Sequence, residues 1–137
     1  MLEDFIEVNK LKATIIEKAI FNSSSAKCVL LLREPTALKP FLVVHLKNTE
    51  ISMEKVKNIL PIAETKEANA KETYYITGYQ KGYLPAISIY GVIVLLDIRA
   101  AKKKKLYILV GENRTLEISP AEIKKANEEC IVCDIAR

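Results

Sequence analysis

Glycine is scarce in this sequence, and its distribution is the strongest constraint on the fold. The chain has only four glycines, and two of them, Gly78 and Gly82, lie within residues 77–85. Glycine permits positive φ angles and the close approach of a backbone or ligand, whereas Pro85 fixes its own φ and favours extended geometry before it. The stretch therefore predicts a shaped loop between apolar segments. A plain turn between a helix and a strand is the commoner role for such a cluster.

Length and apolar content indicate a single domain spanning residues 1–137. Half of the 137 residues are hydrophobic, which is enough for a core. No apolar run reaches the roughly 18 residues that a membrane span needs. The first residues are acidic and lack the pattern of a secretion signal, and the three cysteines agree with a reducing compartment. We therefore expect a cytoplasmic protein with no membrane partner.

Positive charge is concentrated in one short run. The formal net charge is +4, and much of the excess lies in Lys102, Lys103, Lys104 and Lys105. Such a run is most often a solvated loop, but a polyanionic partner also favours it. Both interpretations stay open on the sequence alone. Lysine also far outnumbers arginine, and this bias leans weakly towards a thermophilic source.

Hydrophobic patterns predict helices and strands in an irregular order. Helices are expected at residues 3–10, 51–60, 67–75 and 119–127, the last with Ser119 as N-cap and Pro120 at its first position. Strands are expected at residues 27–32, 41–46, 92–96, 106–110, 115–118 and 130–134, with less clear strands at 12–21 and 62–63. Because regular βαβ alternation is missing, we expect an α/β (α+β) fold with a curved mixed, largely antiparallel sheet flanked by helices.

Several kinds of catalytic site find little support in the sequence. His45 is the only histidine and lies in an apolar run, which argues against a Ser-His-Asp triad, a Cys-His pair or a multi-histidine metal site. Cys130 and Cys133 have C-x-x-C spacing, but only Cys28 and His45 remain as further zinc ligands. Buried strand cysteines are the simpler interpretation, and we expect no metal.

The residues left for chemistry are Lys27, the glycine loop and the hairpin at Gly111. In register along most of the chain, they resemble the YbaK/ProX aminoacyl-tRNA deacylases, which also occur as an editing domain in bacterial-type prolyl-tRNA synthetases. The matching residues are Lys27 at the start of an apolar strand, Thr77-Gly78-Tyr79, Gly82 with Pro85, Val94 to Asp97, Gly111, Ser119 to Ile123, and Cys133 to Ile135. The T-G-Y-x-x-G element with its upstream lysine is the more specific part.

This resemblance implies hydrolysis of the ester that joins a wrong amino acid to a tRNA. Lys27, Gly78 and Gly82 then take the catalytic roles, with the lysine at the terminal nucleotide or phosphate. The implied substrate contacts are Thr77, Tyr79, Tyr83, Pro85 and Gly111, and the Lys102–Lys105 run is expected to hold phosphates of the acceptor stem. The implied partners are the acceptor end of an aminoacyl-tRNA and an aminoacyl-tRNA synthetase. No cofactor is implied.

Two features of this chain depart from the family pattern. The family has a second glycine where this sequence has Tyr83, a side chain that we expect to narrow the pocket. Relatives also carry an alanine-rich helix before the lysine, for which residues 22–26 leave no room unless residues 14–21 form it. Two further hypotheses are therefore kept: a catalytically weakened relative that binds tRNA or a synthetase, and an unrelated small binding domain.

Overall fold

The computed structural model describes residues 1–34, 38–59 and 64–137. Helices and strands alternate irregularly along the chain, as the sequence predicts. The helices are α1 (Leu2–Val8), α2 (Met53–Lys57), α3 (Ala70–Thr77), α4 (Ile98–Ala101) and α5 (Pro120–Ala126). The strands are β1 (Ala13–Ile16), β2 (Ser25–Glu34), β3 (Phe41–Leu46), β4 (Glu64–Glu67), β5 (Ile93–Asp97), β6 (Leu106–Gly111), β7 (Arg114–Ile118) and β8 (Cys130–Cys133).

All eight described strands belong to one mixed sheet. Its order is β1-β7-β6-β2-β3-β5-β8, and β4 pairs with β2 outside this path. The pairs β1–β7, β2–β3, β2–β4 and β6–β7 are antiparallel, whereas β2–β6, β3–β5 and β5–β8 are parallel. Antiparallel pairs are thus in the majority, and the expected fold class is confirmed. The long strand β2 contacts three other strands and is the centre of the arrangement.

The two faces of the sheet bury two separate apolar clusters. On one face, alternate residues of β2 such as Cys28 and Leu30 pack with Leu84 from the glycine-containing loop and with Ile123 of α5. On the other face, Leu31, Phe41 and Val43 pack with Val56 of α2 and with Ile135, among others. Because both faces of the central strands are buried, these strands are continuous hydrophobic runs in the sequence.

Local capping signals place two helices where the sequence predicts them. The Ser119 side chain accepts a hydrogen bond from the Glu122 N–H at 3.2 Å, with Pro120 at the first helical position. In α3, Asn69 and Glu72 form a reciprocal capping box, and the helix ends at Gly78 with φ +79°. The expectation that the loop begins where a helix ends is therefore confirmed.

The other expected elements differ from the structure mainly in their extent. The strand expected at 12–21 is limited to Ala13–Ile16, so this segment is not the extra family helix. Of the helix expected at 51–60, the structure shows Met53–Lys57. Residue 60 and the strand expected at 62–63 lie outside the described part of the chain. Strand β4 and the single-turn helix α4 have no counterpart in the sequence prediction.

The carboxylate of Asp97, at the end of the apolar strand β5, has a structural role. Its Oδ1 accepts hydrogen bonds from the backbone N–H groups of Ile135 and Ala136, both at 3.1 Å, and the side chain is completely buried. The same carboxylate caps α4 by accepting from the Arg99 N–H at 3.2 Å. The family-like segments at residues 94–97 and 133–135 are thus joined by structural hydrogen bonds.

In the described residues, no helix is long and apolar enough to cross a membrane.

Candidate functional site

A gap in the sheet along one edge of β2 defines the candidate site. Strand β6 pairs with β2 only at Ser25 and Ala26, and β4 pairs with it only from Leu31 to Glu34. Between them, residues 27–30 have no partner strand on this side among the described residues. A pocket of about 340 Å³ lies at this gap, which is at the lower end of the range for small-ligand sites.

The pocket is lined from both faces of the sheet and from the loop after α3. The lining combines apolar residues of the larger cluster with four exposed charged residues. The lining residues are Ile20, Phe21, Ser25 to Leu30, Lys47, Glu67, Ala68, Thr73, Lys81, Gly82, Leu84 and Tyr107 to Leu109. Lys27 and Gly82 are therefore neighbours of one cavity, as the sequence resemblance implies.

Lys27 is an exposed residue near the start of β2 and lies directly opposite His45 in the antiparallel pair with β3. Because side chains alternate along a strand, the Lys27 side chain points to the opposite face from Cys28 and Leu30. It therefore borders the pocket from the far side of the gap. Within the described parts of the chain, no carboxylate lies within 4.0 Å of its ammonium group.

Gly82 borders the pocket in a backbone conformation that favours glycine. Its φ is +95°, and a Cβ at this position would meet no atom within 4 Å. The adjoining Lys81 forms an ion pair with Glu67 at 2.7 Å, and Leu84 is buried in the core. The loop is thus held at both sides of Gly82, which lines the cavity without a side chain.

The first residues of the loop stabilise its shape and do not line the pocket. The Thr77 hydroxyl donates to the Thr73 carbonyl at 2.7 Å and accepts from the Tyr79 N–H at 3.0 Å. The Tyr79 hydroxyl donates to Ser88 Oγ at 3.0 Å, and Gly78 is the left-handed cap of α3. These three residues position the loop that carries Gly82.

Three other residues expected at the substrate also lie outside the pocket lining. The Tyr83 N–H closes a turn by donating to the Gln80 carbonyl at 3.0 Å, and Pro85 is buried. Gly111 belongs to the β6–β7 hairpin, where it pairs with Arg114. Tyr83, whose phenol we expected to narrow the pocket, is thus not among the residues that line it.

The lysine run lies at the end of α4 and does not line the pocket. Lys102 is the C-terminal cap of this helix, and Lys105 forms an ion pair with Glu117 at 3.1 Å. Lys102 and Lys104 are exposed, and Lys103 is half-buried. The run is thus a separate basic surface, and any contact with RNA there is remote from the cavity.

Sequence reasoning missed several residues that line the pocket. Phe21 is 62% exposed, and the Lys47 ammonium lies 4.0 Å from the centroid of its ring. Thr73 of α3 is only 1% exposed and brings a hydroxyl group to the pocket lining. An exposed phenylalanine next to a polar loop is a signal that could have marked Phe21, whereas nothing in the sequence relates Glu67 to β2.

The histidine and cysteines of the chain offer no activated nucleophile. Burial, with a smaller contribution from the nearby Lys27 charge, lowers the pKa of His45 below its ordinary value of 6.5. Thr49 donates its hydroxyl proton to the Leu46 carbonyl at 2.7 Å, so its oxygen accepts from His45 Nδ1 at 3.0 Å.

Burial also raises the pKa of the Cys28 thiol far above its usual range and that of Cys133 to about 11. These thiols are protonated at neutral pH, and no cluster of three metal-ligating side chains occurs in the described residues.

Solved structures with the same architecture cover almost the whole chain. The crystal structure of a hypothetical protein, APE2540, has a TM-score of 0.86 at 21% identity and covers 99% of both chains. The crystal structure of "a putative trans-editing enzyme for prolyl tRNA synthetase" has a TM-score of 0.85 at 12% identity, covering 99% of this chain and 94% of its own. A scaffold protein from computational epitope grafting has a TM-score of 0.81 at 14% identity, with coverage of 99% and 94%. At these identities, the likeness defines the fold.

The family follows from a match of the sequence itself. The family model described as "Aminoacyl-tRNA editing domain" matches residues 8–126. The chain therefore belongs to the aminoacyl-tRNA editing domain family, and its resemblance to the YbaK/ProX group is confirmed. No curated protein matches the chain.

Proposed function

We propose that the 137 residues form one editing domain that hydrolyses, in trans, the ester of a mischarged aminoacyl-tRNA. The observation that carries this proposal is the cavity at the gap in the sheet, which Lys27 and Gly82 both border. Membership in the editing family supports the general activity. A separate hydrolytic site is useful because a synthetase discriminates a missing methylene by only about 1–3 kcal/mol.

The charges around the pocket suggest how the substrate lies in it. Lys27 and Lys47, the latter over the exposed ring of Phe21, border the end of the pocket near the start of β2, where their charges suit the phosphate of a nucleotide. Glu67, paired opposite Leu31, borders the other end. The lining residues of β2 span about 17 Å at the usual rise of a strand. The nucleotide thus occupies the basic end, and the amino acid points towards Glu67 and Thr73.

The reaction needs no protein nucleophile under this proposal. The terminal ribose hydroxyl positions a water molecule at the ester carbonyl, and backbone N–H groups stabilise the oxyanion that forms. A single donor of this kind is worth about 2.7–4 kcal/mol in other enzymes. Lys27 holds the 3′ end in register by its contact with the terminal nucleotide. The protonated thiols and the low pKa of His45 agree with such a mechanism.

A second candidate function is binding of tRNA without turnover, and the exposed lysine run favours it. Lys102 and Lys104 offer charge for a phosphate backbone away from the cavity. The two functions separate in one set of assays with a panel of mischarged tRNAs. Release of free amino acid from at least one member supports editing. A salt-dependent shift of tRNA with no release from any member supports the binding function, and the absence of both contradicts the two proposals.

A further inference from the structure

The gap in the sheet leaves a short row of backbone groups facing the pocket. The Lys47 N–H donates to the Ser25 carbonyl at 2.8 Å, which fixes the odd-numbered residues of β2 as the ones bonded to β3. The even-numbered residues therefore direct their N–H and C=O groups to the other edge. There the Leu30 carbonyl accepts from the Ala68 N–H at 2.9 Å, and Ala26 lies against β6.

Between these anchors lie the N–H and carbonyl groups of Cys28 and the N–H of Leu30. None of the three groups has a hydrogen-bond partner among the residues that the structure describes, and both residues are buried and line the pocket. Buried backbone groups are nearly always paired, so an unpaired acceptor and donor at a cavity indicate a ligand with the opposite order of groups. In a strand, the carbonyl of one residue and the N–H of the second residue after it are adjacent on the same edge.

We propose that this edge of β2 reads the terminal adenine of the tRNA. The Cys28 carbonyl accepts from the exocyclic N6 amine, and the Leu30 N–H donates to the adjacent ring nitrogen N1. Cytosine shows the same order of groups, but the nucleotide that carries the ester in every tRNA is an adenosine. The inference rests on the proposed function, since it assigns the base of that same substrate.

The surroundings of the gap suit a flat aromatic ring. A base in the plane of the sheet takes the place of the missing strand, where its edge meets the backbone of β2 as a neighbouring strand would. The alternation of side chains puts Cys28 on one face of this plane and Val29 on the other. Leu84 and Leu109 also line the cavity. Lys27 then lies near enough along β2 to serve the phosphate of the same nucleotide.

Binding of free nucleotides to the full chain tests this assignment without any tRNA. AMP and IMP carry the same phosphate and ribose, but IMP replaces the N6 amine by a carbonyl and places a proton on N1. Both hydrogen bonds are lost, so we expect IMP to bind about tenfold or more weakly than AMP. In amide NMR spectra, AMP is expected to shift the Leu30 signal. Lys27→Ala should weaken both nucleotides by the same factor, whereas the control variant Lys57→Ala, at an exposed lysine of α2 away from the cavity, should change neither.

Equal affinities for AMP and IMP, an unmoved Leu30 amide at AMP saturation, or no binding of AMP would overturn the adenine assignment. This failure is distinct from failure of the proposed function. Hydrolysis of a mischarged tRNA together with equal affinities for AMP and IMP would contradict only the reading of the base. Selective AMP binding without hydrolysis of any mischarged tRNA would contradict only the editing activity.

Discussion

Lys27 and Gly82 border the same cavity from opposite faces of the sheet, the lysine from β2 and the glycine from the loop that follows α3. Their proximity depends on the gap between β6 and β4, because a continuous sheet would separate the two faces. Gly82 has φ +95° and open space where a Cβ would lie. The loop therefore approaches the cavity with only backbone atoms at this point.

Gly82→Ala and Gly78→Ala form a matched pair of substitutions. Both glycines have positive φ, and a Cβ at either would meet no neighbour within 4 Å. Each alanine should therefore cost a similar amount of stability, about 1–2 kcal/mol from backbone strain. Only Gly82 borders the cavity, so we expect Gly82→Ala to lower the deacylation rate about tenfold or more, with Gly78→Ala much closer to the parent. Denaturant unfolding and single-turnover hydrolysis measure the two effects, and equal rates for both variants would refute the assignment.

Tyr83→Gly restores the residue that the family has at this position. Since Tyr83 lies outside the pocket lining, we expect its removal to change the deacylation rate by no more than about twofold. The selectivity across a panel of mischarged tRNAs should also stay the same. A widened range of hydrolysed amino acids would show that the phenol restricts the cavity after all.

Asp97→Ala is expected to destabilise the protein strongly. It leaves the N–H groups of Ile135 and Ala136 without their acceptor in a buried place, which should cost about 3 kcal/mol. Asp134→Ala is the matched control, because its carboxylate is half exposed and contacts Lys55 and Arg99 at the surface. Such pairs contribute at most about 1 kcal/mol. Equal losses in denaturant unfolding would contradict the structural role of Asp97.

His45 should make stability depend on pH in a defined direction. Its pKa is lowered in the folded state, mainly by burial, so the unfolded chain binds more protons at mildly acidic pH. The contribution of neutral His45 is fully present above its ordinary pKa of 6.5 and is lost as the pH falls towards the folded value. The free energy of unfolding should therefore fall from pH 7.5 to 5.5, and less so in His45→Gln. An unchanged pH slope in that variant would contradict this account.

Patterns local to the sequence predicted much of the fold, because apolar strand runs and helix caps act over a few residues. Ser119 with Pro120 fixed the start of α5, and Gly78 fixed the end of α3. Strand β4 was not predicted because residues 64–67, three of them charged, adopt a strand conformation through pairing with the distant end of β2. Tertiary pairing of this kind overrides local propensity.

The candidate site was predictable only in part, for a related reason. Lys27 and Gly82 were identified through their family resemblance, and the structure places them at one cavity. Phe21, Lys47 and Glu67 reach that cavity because strands and loops distant in sequence meet there. Thr77, Gly78 and Tyr79 form the hydrogen bonds and the helix cap that shape the loop, a role that motif spacing alone does not distinguish from substrate contact.

The most direct test of the central claim is single-turnover hydrolysis of a mischarged tRNA by the parent, Lys27→Ala and Lys57→Ala. The two lysines are both exposed, but only Lys27 borders the cavity. Loss of a charged hydrogen bond to the terminal nucleotide predicts a rate about 10- to 100-fold below the parent for Lys27→Ala, and a parental rate for Lys57→Ala. Hydrolysis by Lys27→Ala at the parental rate would contradict the proposal that this cavity holds the 3′ end of the tRNA.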